Sequence, residues 1–169
     1  METLVKVVER DDQPALEINA RCTVMNMPMV IPKSFKSIAE YMQSHKLKIE
    51  HMPYVRYLNV NWDDVGANKL VMFLKMFSHK WDMLIGIPVT TELPDNGIIR
   101  NGKFPGGSYL ETLHTGPYSK VGTSYKRLTD FAKAEHLTFG NESIEIYLND
   151  PREVAKQDLQ TRILVPLKH

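Results

Sequence analysis

The run Ser143-Ile144-Glu145-Ile146-Tyr147-Leu148 holds the residues best suited to chemistry in this chain. Strict alternation puts Ile144, Ile146 and Leu148 on one face of a strand and Ser143, Glu145 and Tyr147 on the other. A carboxylate and a phenol then project side by side from a rigid element. On a solvent face this pattern is ordinary, and alternation by itself favours that reading. On a pocket wall the pair suits cationic or polarisable small molecules, or acid–base work on them. A carboxylate kept from water has its pKa raised and can act as a general base, with a phenol as proton donor.

The elements that must position this pair read as two similar units. Residues 4–24 form a strand with a turn or bulge at Asp11-Asp12-Gln13-Pro14. Pro32 is placed to open a helix that carries Phe35, Ile38 and Met42 and ends near His45. Strands at 54–61 and 81–90 follow, and Leu93-Pro94-Asp95-Asn96-Gly97 is a turn. The second unit has a strand at 107–115, a break at Gly116-Pro117 and a helix that ends before Gly140. That helix has an apolar stripe of Tyr118, Val121, Tyr125, Leu128 and Ala132, with Lys120, Lys126, Arg127, Asp130 and Lys133 on its wet side. The Glu145 strand and a last strand at 159–167 close the unit.

Each half therefore reads strand–helix–strand–strand. Tyr57-Leu58-Asn59 and Tyr147-Leu148-Asn149 recur at matching places after the two helices. The repetition sets half-repeats at about 1–92 and 103–169 within one domain. It makes Tyr57 the counterpart of Tyr147 and puts a ligand cleft between the halves. The stretch 63–80 interrupts the parallel. Within it, Leu70, Val71, Met72, Phe73, Leu74, Met76 and Phe77 predict an inserted helix at 68–77, either packed on the core or serving as a lid or dimer contact.

Composition narrows the function classes. A chain of 169 residues fits one domain with a sizeable core. Its 21 basic and 20 acidic residues leave a net charge of +1, which gives no electrostatic case for nucleic acid or an anionic membrane. The single Cys22 excludes an intramolecular disulfide and reads as a small apolar residue. No secretory signal opens the chain, and Leu70-Val71-Met72-Phe73-Leu74 is too short to span a bilayer, so a cytoplasmic protein is expected. The histidines (45, 51, 79, 114, 136 and 169) show no ligand-like pairing, so neither metal nor cofactor is expected; His114, at a strand end, reads as a capping or packing residue. No G-x-S-x-G elbow occurs, and Ser124 in Gly122-Thr123-Ser124 reads as a surface group on a helix. Gly102-Lys103-Phe104-Pro105-Gly106-Gly107 lacks phosphate-loop spacing and reads as a turn entering a strand. No helix-turn-helix with a basic face appears.

Three motifs in order carry a family resemblance. They are His114-Thr115-Gly116-Pro117-Tyr118, then, after a helix, Glu145-Ile146-Tyr147-Leu148-Asn149-Asp150-Pro151, then Leu159-Gln160-Thr161-Arg162-Ile163-Leu164-Val165-Pro166. Together they resemble the GyrI-like small-molecule-binding domain, the effector-binding module of some AraC- and MerR-type regulators, which also occurs alone. The likeness covers the whole chain and is strongest from Trp81 onward. It implies an α+β fold of duplicated strand–helix–strand–strand units with pseudo-two-fold symmetry and antiparallel sheets.

The resemblance also implies that Glu145 lies at a pocket floor facing cationic, often aromatic, ligands. Tyr57 and Tyr147 would form the walls, and Tyr109, Trp81 and Tyr118 further lining. The domain takes up the entire chain, so a stand-alone binding protein is expected rather than a complete transcription factor. The insertion is longer than the family leads one to expect, so the pocket mouth can differ. The implied partner is a small molecule, not nucleic acid or a membrane. The implied alternative is a hydrolase that adds water to electrophilic, cyclopropane-type natural products, with Glu145 as general base and Tyr147 or Tyr109 as proton donor. Inhibition of a topoisomerase is a third reading, for which the balanced charge gives no positive sign.

Overall fold

The computed structural model describes residues 4–65 and 78–168, so the inserted helix expected at 68–77 lies outside the described residues. The strands are β1 (Lys6–Arg10), β2 (Gln13–Cys22), β3 (Tyr54–Tyr57), β4 (Trp81–Pro88), β5 (Ile99–Phe104), β6 (Gly107–Thr115), β7 (Ser143–Tyr147) and β8 (Gln160–Pro166). Helix α1 (Met27–Ser44) joins β2 to β3, and α2 (Gly122–Ala134) joins β6 to β7. The fold is α+β, with one antiparallel sheet in the order β1-β6-β8-β7-β3-β4-β2-β5. Among the described residues no helix is long and apolar enough to cross a membrane.

That order is symmetric about the β7–β3 seam: β3, β4, β2 and β5 on one side mirror β7, β8, β6 and β1 on the other. The two ends of the sheet also meet. Arg10 pairs with Gly107 at the end of the β1–β6 ladder, and Gln13 pairs with Phe104 at the start of the β2–β5 ladder, in unbroken register. β1–β2 and β5–β6 are thus two long bent arms lying against each other, and the sheet curls until it closes. The bend is tight. A Cβ on Gly106 would lie 2.7 Å from the Asp12 amide nitrogen and 2.9 Å from the Arg10 carbonyl, so only glycine fits. Asp12 ties the bend by accepting from the Gly106 amide and from Lys103, each at 2.6 Å.

The Tyr-Leu-Asn repeat has a physical role. Asn59 Nδ2 donates to the Lys80 carbonyl at 3.0 Å, and its Oδ1 accepts from the Asp82 amide at 3.1 Å. Asn149 makes the same pair, to the Asp158 carbonyl and from the Gln160 amide, each at 2.9 Å. In both halves the asparagine side chain takes over backbone pairing where the strand stops. The strand expected at 54–61 accordingly ends at Tyr57.

Other differences from expectation have local causes. α1 begins at Met27 rather than Pro32, because Pro28 also suits a first turn and the earlier start lays Met27, Val30, Ile31 and Phe35 against the sheet. Strand β5 was not expected: only Ile99 and Phe104 of it are buried, and pairing with β2 rather than apolar pattern creates it. Tyr118 lies in a separate 3-10 turn (Tyr118–Lys120) ahead of α2. Ser124, expected as a surface group, is fully buried.

The two faces of the sheet differ. Tyr54, Phe104, Tyr109, Ile144, Ile146 and Leu164 fill the inner side of the curl. Helices α1 and α2 cover the outer side, α1 over Leu16, Ile18, Ile87 and Val55, and α2 over Leu110, Ile163 and Val165.

Candidate functional site

Glu145 stands at the centre of the β3–β7 seam, paired with Val55. Tyr57 pairs with Ser143, and in the related position the Tyr147 amide donates to the Pro53 carbonyl at 3.0 Å. A local two-fold therefore passes near the Val55–Glu145 pair, and Tyr57 and Tyr147 flank the acid as counterparts. All three side chains project to the helix-covered face, because they share the parity of Val55 and Ser143 along their strands.

The carboxylate meets three phenols. Tyr125 donates to Oε1 at 2.9 Å, and Tyr147 donates to Oε2 at 3.0 Å. Tyr57 points at Oε2 from 3.5 Å, the long limit of a hydrogen bond. Tyr125 also shares a hydrogen with Ser143 Oγ at 2.6 Å, which fixes it between strand and helix. Around this centre stand more rings. Tyr118 and Phe35 both meet Tyr147 edge-on, at 5.6 and 5.9 Å, and Trp81 meets Tyr57 edge-on at 5.6 Å.

The electrostatics follow from burial. Glu145 is only 7% exposed, and desolvation pushes its pKa above the ordinary glutamate range, with the phenol hydrogen bonds pulling it back in part. Tyr57, Tyr125 and Tyr147 are raised well above 10, mainly by burial and then by the charge of Glu145 or of one another. These phenols stay protonated at any ordinary pH and serve as donors. Tyr118 is raised by burial, then by Glu145, although its side of the site is open to solvent. Among the described residues no cationic side chain pairs with Glu145.

The structure thus brings Glu145, Tyr147, Tyr57, Trp81 and Tyr118 together. It does not bring Tyr109. That ring lies on the inner face among Tyr54 and Phe104, and its hydroxyl donates to the Pro105 carbonyl at 2.6 Å. Its parity along β6, opposite to Leu110, turns it away from the acid. Two participants went unforeseen, Tyr125 and Phe35. Tyr125 sat in the apolar stripe of α2, where the usable signal was chemical: a buried tyrosine needs a partner for its hydroxyl. Two surface grooves of about 370 and 280 Å³ among the described residues are lined by none of these side chains.

The chain resembles known structures in fold. EcmrR in a DNA complex matches with a TM-score of 0.76 at 13% identity over 98% of this chain, which spans 57% of that one. The EcmrR C-terminal domain alone matches with 0.71 at 13% identity, covering 99% of both chains. A hydrolase from Listeria innocua matches with 0.64 at 11% identity, over 97% of this chain and 91% of that one. SAV2435 bound to tetraphenylphosphonium matches with 0.58 at 11% identity, over 99% and 94%. No curated protein matches in sequence. The GyrI-like small molecule binding domain matches from residue 5 to residue 168, in agreement with the three motifs and the antiparallel sheet, and this chain belongs to the GyrI-like family.

Proposed function

We propose that this protein binds amphipathic, cationic or aromatic small molecules at Glu145. One observation carries the reading: a carboxylate 7% exposed, with phenols as its hydrogen-bond partners and no cation beside it among the described residues. Burying such a charge costs several kcal/mol. A lipophilic cation offsets that cost by charge pairing, and each ring face it meets adds about 0.5–2 kcal/mol. Tyr57 and Tyr147 form the inner walls, Tyr125 braces Oε1, and Trp81, Phe35 and Tyr118 complete the rim. A cage of rings around one acid selects by charge and flatness, so broad specificity follows. The likeness to SAV2435, bound to tetraphenylphosphonium, supports this ligand class.

Glu145 is itself buried, so a bulky ligand that reaches it must displace the rings around it. The reading suits a cytoplasmic protein that senses or sequesters its ligand without touching nucleic acid. We read residues about 1–92 and 103–169 as half-repeats of one domain, a view supported by the matching bonds of Asn59 and Asn149. The functional test is a melting series with tetraphenylphosphonium on wild type and Glu145→Gln. At a hundredfold excess over its dissociation constant a ligand stabilises by about 2.7 kcal/mol. An equal response from the glutamine variant would remove Glu145 as the anchor.

A second reading has its own observation: the pKa of Glu145 is raised toward the range of a general base, beside the protonated Tyr147 phenol at 3.0 Å. Glu145 would take a proton from water, and Tyr147 would protonate the leaving carbon of an opened, cyclopropane-type electrophile. The fold likeness to a Listeria innocua hydrolase agrees with this alternative. Mass spectrometry of such electrophiles after incubation separates the two readings, since full recovery of unchanged compound argues against turnover.

A further inference from the structure

The binding site leaves a second buried polar chain unused. His114 on β6 is 4% exposed and Ser124 on α2 is 0% exposed. Arg127 Nη2 donates to Ser124 Oγ at 2.7 Å, and a guanidinium can only donate, which fixes the direction at this end. The Ser124 hydroxyl and His114 Nδ1 are hydrogen-bonded at 3.0 Å. A carbonyl can only accept, so Nε2 carries a hydrogen and donates to the Pro117 carbonyl at 3.2 Å. A histidine beside a serine suggests a nucleophile and its base. Here the serine has no exposed surface and already accepts from Arg127, so no substrate reaches it.

What the chain does hold is a turn. Gly116 adopts φ +129°, a conformation that side chains rarely take, and its amide donates to the Leu159 carbonyl at 2.8 Å. Pro117 is fixed at φ −64°, and its carbonyl also accepts from the Lys120 amide at 2.9 Å. The next residue is Tyr118, whose ring meets Tyr147 at 5.6 Å and 86° while remaining 40% exposed. We propose that His114 is a positioning residue: through the Pro117 carbonyl it holds the Gly116-Pro117-Tyr118 turn, and so sets the Tyr118 ring over Tyr147 at the mouth of the Glu145 site.

The role in ligand capture rests on the binding reading above, so the test has a ligand-free arm. In protein labelled with 3-fluorotyrosine, the Tyr118 resonance is the one lost in Tyr118→Phe. His114→Leu moves that resonance to the position of a solvent-exposed tyrosine. His114→Gln, whose amide can still donate to the Pro117 carbonyl, keeps it near its wild-type place. An unmoved resonance in a cooperatively melting His114→Leu protein overturns the proposal. Should the leucine variant fail to fold, Ser124→Ala loosens the imidazole without removing it and gives a partial shift, and no shift there overturns the proposal equally. In the second arm, affinity for tetraphenylphosphonium falls about threefold to tenfold in His114→Leu, the size of one lost aromatic contact. It falls no further when the same change is made on Tyr118→Ala. Equal losses in both backgrounds would show that His114 acts elsewhere. A wild type that does not bind tetraphenylphosphonium would sink the binding reading, while the fluorine arm still decides the role of His114.

Discussion

Replacing Glu145 with glutamine should stabilise this protein, and do so only above the ordinary carboxyl range. Burying a carboxylate costs several kcal/mol even after relaxation. Hydrogen bonds to a charged acceptor contribute about 1.5–3 kcal/mol each. Tyr125 at 2.9 Å and Tyr147 at 3.0 Å qualify in full, whereas Tyr57 at 3.5 Å adds little. The two good bonds nearly offset the burial. The raised pKa of Glu145, due first to desolvation, says that the balance stays unfavourable to the charge. A remainder of about 1–2 kcal/mol is the expected gain for an uncharged isostere, whose amide can donate to the phenol oxygens.

The pH window follows from the direction of the shift. Below the ordinary glutamate value of 4.5 both folded and unfolded chains hold the proton, and Glu145 costs nothing. As pH rises the unfolded chain ionises first, so the folded state loses stability until the folded pKa has been passed. Glu17, also raised by burial, is common to both proteins and cancels in their difference. Melting curves of wild type and Glu145→Gln, taken from pH 4.5 to 8, should diverge with pH. At pH 8 the variant should melt about 2–8 °C higher, for a chain of this size. A variant that melts lower at pH 8, or whose advantage grows toward pH 4.5, would refute the reasoning and make Glu145 a stabilising anion.

Three further outcomes test the frame and the site. Asn59→Ala and Asn149→Ala should each cost about 1–2 kcal/mol in urea unfolding, by similar amounts and additively, because each removes the same pair of bonds in a different half. A severalfold inequality would deny their equivalent roles. Tyr125→Phe should destabilise by about 1–3 kcal/mol, since it leaves the Ser143 hydroxyl and Glu145 Oε1 short of a partner, and should alter tetraphenylphosphonium binding. Tyr109→Phe should leave that binding unchanged by calorimetry, because its hydroxyl serves the Pro105 carbonyl on the other face.

Much of this site was legible in the residues because strands translate sequence parity into faces. Glu145 and Tyr147 had to share a side, and the Tyr-Leu-Asn repeat marked Tyr57 as the counterpart because an asparagine that ends a strand is a local device visible in three letters. What escaped had weaker local marks. Tyr109 to Thr112 of β6 are all buried, so burial on both faces hid which side looked toward the acid. Strand β5 carries Arg100, Asn101, Gly102 and Lys103 in its middle and exists through its pairing with β2, which no local pattern encodes. Tyr125 looked apolar at its helical position, and only its buried hydroxyl hinted at a partner across the seam.

The local symmetry also leaves the seam with a single acid on its helix-covered face. The seam relates Glu145 to Val55, so the two halves supply matching tyrosines but only one charge. A second carboxylate at Val55 would sit directly across the ladder from the first, and like charges in a dry site exclude each other. A valine there keeps the strand surface beside Glu145 apolar. The same asymmetry means that the ionised acid is tolerated rather than welcomed by the folded chain. If the binding reading is right, the stability that Glu145→Gln gains and the cation response it loses come from the same buried charge.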